Sequence, residues 1–185
     1  MQNYREFLDE TLIDALTLQA RIAELGAEIS RDYHNQDLHL ICILRGGVLF
    51  LTDLMRQIAV PHTIDFMAIS SYGAGARQSS GQVRLNMDLK DDIHNRNVML
   101  VEDIIDSGHT IASVLQLLAV RQPASLRVCT LLDKAERREA EVVIDYCGFT
   151  IPDKFVFGYG LDLDEYYRNL PFIGTVNLEK FQPPE

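Results

Sequence analysis

Val98-Met-Leu-Val-Glu-Asp-Ile-Ile-Asp-Ser-Gly-His-Thr110 runs from an uninterrupted apolar stretch into three carboxylates and a turn of small residues. The apolar residues Val98 to Val101 suit a strand covered on both faces. Ile111 to Val120 has the length and apolar spacing of a packed helix, so the turn between them is expected at the carboxyl end of a strand. In open α/β sheets ligands bind in the crevice at that end, and a helix start offers an anion unpaired N–H groups and a positive dipole. Glu102 and Asp103 fall where the strand is expected to end, so a turning chain can bring both into the crevice. Paired carboxylates there suit Mg2+, which prefers oxygen ligands and shares them with substrate phosphates. On residue pattern alone, Asp106 and Ser107 can instead be helix caps, with Glu102 and Asp103 merely solvated. Three acids around one glycine turn nevertheless exceed what a cap requires.

Outward from this stretch the same unit recurs. Leu38 to Leu44 is expected as a strand, Arg45-Gly-Gly47 as a tight turn and Val48 to Ile58 as a helix. Thr63 to Ser70 follows as a further strand. Apolar residues at Leu12, Ala15, Leu18, Ile22, Leu25 and Ile29 predict one amphipathic helix over Thr11 to Ile29. Ser71 to Gly81, rich in glycine and serine, is expected as a flexible loop, and the alternating segment Gln82 to Leu89 as the return strand of a hairpin. Later strands are expected at Leu126 to Leu132, Val142 to Tyr146, Lys154 to Tyr159 and Ile173 to Val176. Strands alternating with helices imply parallel pairing in a layered α/β domain.

With 185 residues, the chain is most simply one domain with a core large enough to need no staples. Its net charge of −10, with no block of Lys and Arg, gives no footprint for nucleic-acid binding, so an anionic ligand must be held locally. Cys42, Cys129 and Cys147 lie far apart in apolar segments and read as free thiols in a reducing compartment. Neither a signal-peptide pattern nor a membrane-length apolar run is evident, so a cytoplasmic location without membrane partners is expected.

The glycine turn is not a Walker loop, because the Gly-x-x-x-x-Gly-Lys-Ser/Thr spacing is absent, and Gly73-Ala-Gly75 stops short of the dinucleotide pattern. The string Val101-Glu-Asp-Ile-Ile-Asp-Ser-Gly-His-Thr110 does resemble the phosphoribosyl-diphosphate motif of type I phosphoribosyltransferases, in the form used by the hypoxanthine-guanine phosphoribosyltransferase family. The resemblance continues, in family order, through Leu44-Arg-Gly-Gly47, Ser71-Tyr72, Leu131-Leu-Asp-Lys134, Gly148 to Asp162 and Glu165-Tyr-Tyr-Arg168. It covers most of the chain from residue 38 to 176.

The resemblance implies a role for each matching residue. Glu102 and Asp103 would hold the ribose hydroxyls, directly or through Mg2+, and favour a sugar that becomes cationic in transfer. Asp106 would be the general base at purine N7, and Asp106, Ser107, Gly108, His109 and Thr110 would bind the 5′-phosphate. Arg45-Gly46 matches the family's diphosphate loop, whose non-proline peptide is often cis, and Arg168 would meet the diphosphate as a bidentate cation. Lys134 would donate to a 6-oxo group, which argues against a 6-aminopurine. Without the resemblance, Lys134 reads as one more charge in the stretch 133–139, and Arg168 as a surface partner of Glu165. Phe155 would stack on the purine while the Val156 backbone reads its edge. Asp162 matches a position near a second metal and the purine 2-substituent. Ser71 and Tyr72 would begin a closing lid over residues 71–81 that keeps water from the cationic sugar.

These readings combine into an α/β type I phosphoribosyltransferase fold in a single domain, residues 1–185. A central, mostly parallel sheet is flanked by helices, and a small hood subdomain comes from the terminal segments. The implied reaction is purine salvage: hypoxanthine or guanine with phosphoribosyl diphosphate gives the nucleoside monophosphate and diphosphate, with Mg2+. The implied partners are these small molecules, with no nucleic acid and no membrane, in a homodimer or homotetramer. A xanthine-preferring relative is the alternative enzyme, and a non-catalytic, nucleotide-sensing RNA-binding regulator of the same fold is the alternative from another class.

Overall fold

The computed structural model describes residues 2–71 and 83–183. In chain order the elements are α1 (Tyr4–Phe7), β1 (Leu8–Ile13), α2 (Ala15–Asp32), β2 (Leu38–Leu44), α3 (Val48–Gln57), β3 (His62–Ser71), β4 (Val83–Met87), β5 (Asn97–Ile105), α4 (His109–Ala119), β6 (Ser125–Asp133), β7 (Tyr146–Thr150), β8 (Val156–Phe157) and β9 (Ile173–Val176). The main sheet has the order β4-β3-β2-β5-β6-β7, all parallel except the β3–β4 edge pair. Alternation along the buried strands divides the core. Leu40, Cys42, Met99 and Val101 face α2 and α3, while Ile41, Ile43, Val98 and Leu100 face Ile111, Val114 and Leu118 of α4.

The strand order determines where a ligand fits. From β2 the chain crosses to β3 on one side, and β5 then returns to the other side of β2. The order reverses between β2 and β5, so their carboxyl ends flank the crevice of a switch point. Arg45-Gly-Gly47 leaves β2 there, and Asp106 to Gly108 leaves β5 beside it.

The terminal segments pair in a second sheet, β1-β9-β8, which is antiparallel. Beneath it Phe7 packs against Phe157, Tyr167 and Phe181 at ring-centroid distances of 5.4, 5.2 and 5.1 Å.

Several element boundaries differ from the sequence expectation, each for a local reason. The helix expected from Thr11 starts at Ala15, because Asp14 caps it by accepting the Thr17 N–H at 2.8 Å, and Thr11 and Ile13 pair with β9. The strand expected over Val142 to Tyr146 begins only at Tyr146. Asp145 Oδ2 takes the Val128 N–H at 2.8 Å, so the ladder with β6 opens at Cys129 and Tyr146. The run Lys154 to Tyr159 keeps only Val156–Phe157 as strand, since Gly158 and Tyr159 turn to φ of 95° and 48°. The strand beginning at Val98 does not stop at Val101 but continues to Ile105.

Candidate active site

Because β5 runs to Ile105, Glu102 and Asp103 lie within its last residues, and each carboxyl still feels the other. Asp103 Oδ1 also accepts the Ile104 N–H at 2.9 Å, whereas the buried Glu102 Oε2 has no hydrogen-bond partner. Burial pushes the Glu102 carboxyl well above the usual carboxylate range, and the neighbouring Asp103 charge adds to this. Burial raises Asp103 as well, against the pull of Glu102, of backbone N–H groups and of the Arg168 charge. A buried and a partly buried acid with one orphaned buried oxygen fit a divalent cation, whose charge would relieve that penalty. Asp162 Oδ1 pairs with Arg168 Nη2 at 2.9 Å. Among the described residues no group of three or more His, Cys, Asp and Glu is arranged to hold a metal ion.

The turn after β5 is shaped for an anion. Gly108 is the residue before α4, with φ of 88°, and no side chain caps the helix. Asp106 and Ser107 are therefore not caps, and the first-turn N–H groups of α4 have no partner within the helix. The loop is clamped from outside by residues that sequence reasoning passed over as a charged stretch. The Glu139 and Ala140 N–H groups donate to the Ser107 carbonyl at 2.9 and 3.0 Å, and Arg138 Nη1 donates to the Asp106 carbonyl at 2.9 Å. The same guanidinium binds Asp133, and both side chains are largely buried. His109 Nε2 pairs with Glu139 Oε2 at 2.9 Å, which holds the His109 side chain on the outside clamp. Only alternation of charge in 133–139 hints at this clamp in the sequence.

Lys134 closes β6 beside that turn. Its N–H donates to the Ile105 carbonyl at 3.0 Å, which ties it to the end of β5, and the residue is 6% exposed. It is thus not one more solvated lysine. Its Nζ lies 4.0 Å from Asp106 Oδ2 and 3.6 Å from Asp153 Oδ1. Arg137 joins the cluster, with Nε 3.2 Å from Asp106 Oδ1. Phe155 is 53% exposed, so it is not a core aromatic. Its carbonyl accepts the Val176 N–H at 3.0 Å. Since antiparallel strands alternate, the Val156 N–H and carbonyl then point off the free edge of β8, available to a ligand.

On the other wall, the peptide between Leu44 and Arg45 is cis. Gly46 packs against Asp103 so closely that an added Cβ would overlap Oδ2 and sit 2.7 Å from Cγ. Gly160 packs closely on the Gly46 carbonyl. Arg168 Nη1 donates to the Gly160 carbonyl at 2.8 Å, and Arg45 Nη2 lies 2.6 Å from Glu165 Oε2. The structure thus brings Arg45, Gly46, Asp103, Asp162 and Arg168 together on one side, and Asp106, Lys134 and Asp153 together on the other, with Phe155 two residues past Asp153. Ser71 ends β3, while Tyr72 and the remainder of the expected lid fall outside the described residues.

A parallel sheet with an anion turn and paired acids at its switch point defines a class, and residues 10–165 match it under the description Phosphoribosyl transferase domain. The chain is 49% identical over 173 residues to the hypoxanthine phosphoribosyltransferase of Buchnera aphidicola subsp. Schizaphis graminum, covering 92% of this chain and 97% of that protein. It is 51% identical over 181 residues to the hypoxanthine-guanine phosphoribosyltransferase of Mycobacterium bovis, covering 95% and 89%. A crystal structure of a hypoxanthine phosphoribosyltransferase from Staphylococcus aureus superposes with a TM-score of 0.93 at 42% identity, over 97% of each chain. The chain belongs to the phosphoribosyltransferase family, in its hypoxanthine and hypoxanthine-guanine branch.

Proposed function

We propose that the protein transfers the 5-phosphoribosyl group of phosphoribosyl diphosphate to N9 of hypoxanthine, and of guanine, giving IMP or GMP and diphosphate in purine salvage. The observation that carries this is the approach of Lys134 Nζ to within 4.0 Å of Asp106 Oδ2, from loops on two different strands. N7 and O6 are adjacent acceptors on one edge of a 6-oxopurine. A donor-only ammonium beside a carboxylate suits that edge: Lys134 donates to O6 and Asp106 takes the N7 proton. A 6-amino group would face the ammonium with another donor.

In the reaction the N9 lone pair forms the bond to C1′ as the C1′–oxygen bond to diphosphate breaks. The N7 proton passes to Asp106. The first-turn N–H groups of α4 and the Ser107 to Thr110 backbone hold the 5′-phosphate. Arg45 and Arg168 receive the charge that develops on the diphosphate. Glu102 and Asp103 lie toward the ribose, where negative charge favours the cationic sugar. Glu102 and Asp103 would hold Mg2+, which would supply positive charge to the transferring group. Phe155 stacks on the base, and the free N–H and carbonyl of Val156 meet its remaining edge. The three free thiols suit the reducing cytoplasm.

A panel of hypoxanthine, guanine, xanthine and adenine, assayed with phosphoribosyl diphosphate and Mg2+, tests the proposal. Turnover of hypoxanthine and guanine far above adenine is expected. Dominant kcat/KM for xanthine, or nucleotide binding with no diphosphate release from any purine, overturns it.

A further inference from the structure

Leu163 and Tyr166 exchange two backbone hydrogen bonds of 3.1 Å around a two-residue turn, in which Asp164 and Glu165 have φ of 50° and 72°. A hairpin turn with both central residues left-handed favours Asn-Gly or Asp-Gly, because any larger side chain at the second position crowds the backbone. A glutamate stands in the position that glycine suits best. Its side chain reaches out of the turn: Oε2 is 2.6 Å from Arg45 Nη2 and 3.3 Å from Arg168 Nη2. One carboxylate oxygen therefore spans guanidiniums from two separate loops. Asp162 fixes the turn in place, accepting the Glu165 N–H at 2.9 Å through Oδ2 while Oδ1 pairs with Arg168.

We propose that Glu165 is an internal stand-in for the diphosphate. Its carboxylate occupies the anion position between Arg45 and Arg168 when no substrate is bound, and the incoming diphosphate displaces it. Glu165 thereby sets how tightly phosphoribosyl diphosphate is held and eases release of the diphosphate product, by recapturing both arginines as it leaves. The proposal rests on the assignment of Arg45 and Arg168 to the diphosphate. The side chains of Arg45 and Glu165 are 67% and 60% exposed, so their ion pair is weak enough for a multiply charged ligand to break. The multiply charged diphosphate also offers the two forks more acceptor oxygens than one carboxylate does.

The test is calorimetric titration of inorganic diphosphate, with and without Mg2+, into the parent, Glu165→Gln and Glu165→Gly. Both variants are expected to bind diphosphate about two- to tenfold more tightly, since an exposed pair of this kind is worth only a few-fold in affinity per partner. The KM for phosphoribosyl diphosphate should fall in parallel, the purine KM should stay at the parent value, and the gain should shrink at high ionic strength. Thermal melting checks that both variants fold, and Glu165→Gly should melt no lower than the parent because glycine suits the left-handed turn. Parent-like or weaker diphosphate binding in folded variants overturns the proposal, because Glu165 would then brace the arginines for the ligand. Arg45→Gln and Arg168→Gln separate the two levels. If they weaken diphosphate binding while the Glu165 variants fail to tighten it, only the stand-in role falls. If they leave it unchanged, the assignment of the arginines falls with it.

Discussion

Gly46→Ala is the substitution with the sharpest structural consequence. The glycine is required for space rather than for backbone freedom, since a Cβ would overlap Asp103 Oδ2 and approach Cγ to 2.7 Å. Ordinary carbon contacts lie at about 3.5–4.0 Å, so the carboxyl carbon must retreat by roughly 1 Å and Oδ2 by more. The loop has little room to yield instead, because Gly160 packs closely against the Gly46 carbonyl. Asp103 would be driven from its place beside Glu102, where it accepts the Ile104 N–H, and the pair would lose its alignment toward ribose and Mg2+. A displacement of about 1 Å in a positioning group costs on the order of 10²-fold in rate. Steady-state kinetics at saturating hypoxanthine should therefore show kcat/KM for phosphoribosyl diphosphate down by about 10²-fold, with a higher Mg2+ requirement. Gly47→Ala is the control: its Cβ would meet the Cys42 thiol at 2.9 Å, away from the carboxylates, and its kinetic effect should be much smaller. Turnover of folded Gly46→Ala within about threefold of the parent would refute the reasoning, because the Asp103 carboxylate would then not need the position that Gly46 gives it.

Other outcomes follow from the same geometry. Asp106→Asn should lower kcat by about 10²–10⁴-fold if the carboxylate takes the N7 proton, with little change in the KM for phosphoribosyl diphosphate; unchanged turnover in a steady-state assay would remove it from that role. Lys134→Ala should raise the purine KM by about tenfold or more and weaken discrimination against adenine, read from the same assay. Asp65 gives a pH prediction for stability. Burial would raise its carboxyl, but N–H groups of Asp91, Phe66 and Lys90 hold it below the usual range. A depressed folded value stabilises the protein above the unfolded value near 4 and is lost as pH falls through the folded one. Asp65→Ala should thus lower stability by about 1–3 kcal/mol at neutral pH, and the Tm difference should narrow below about pH 4.

Much of the sheet was legible because its strands carry unbroken apolar runs. Leu38 to Leu44 and Ile173 to Val176 match β2 and β9 residue for residue. The boundary errors came where a side chain far along the chain, or across the sheet, takes over a backbone group. Asp145 on the Val128 N–H and Asp14 at the start of α2 are such cases. The charged stretch after Lys134 was the largest omission in the site. Alternating charge gives no sign that Arg138 turns inward to hold the Asp106 carbonyl while Glu136 stays outside.

By itself the sequence determined what is local or linear: the strand-turn-helix units, the acids and small residues of Val98 to Thr110, and the family to which that string belongs. The tertiary structure decided what depends on segments far apart. Strand order placed the switch point between β2 and β5, and so set Gly46 against Asp103 from residues with no shared periodicity. It brought Lys134 to Asp106, and it aimed Glu165 at Arg45 across a gap of more than a hundred residues. Periodicity reports which face of an element is apolar, and it carries no record of which distant loop will meet that element's end.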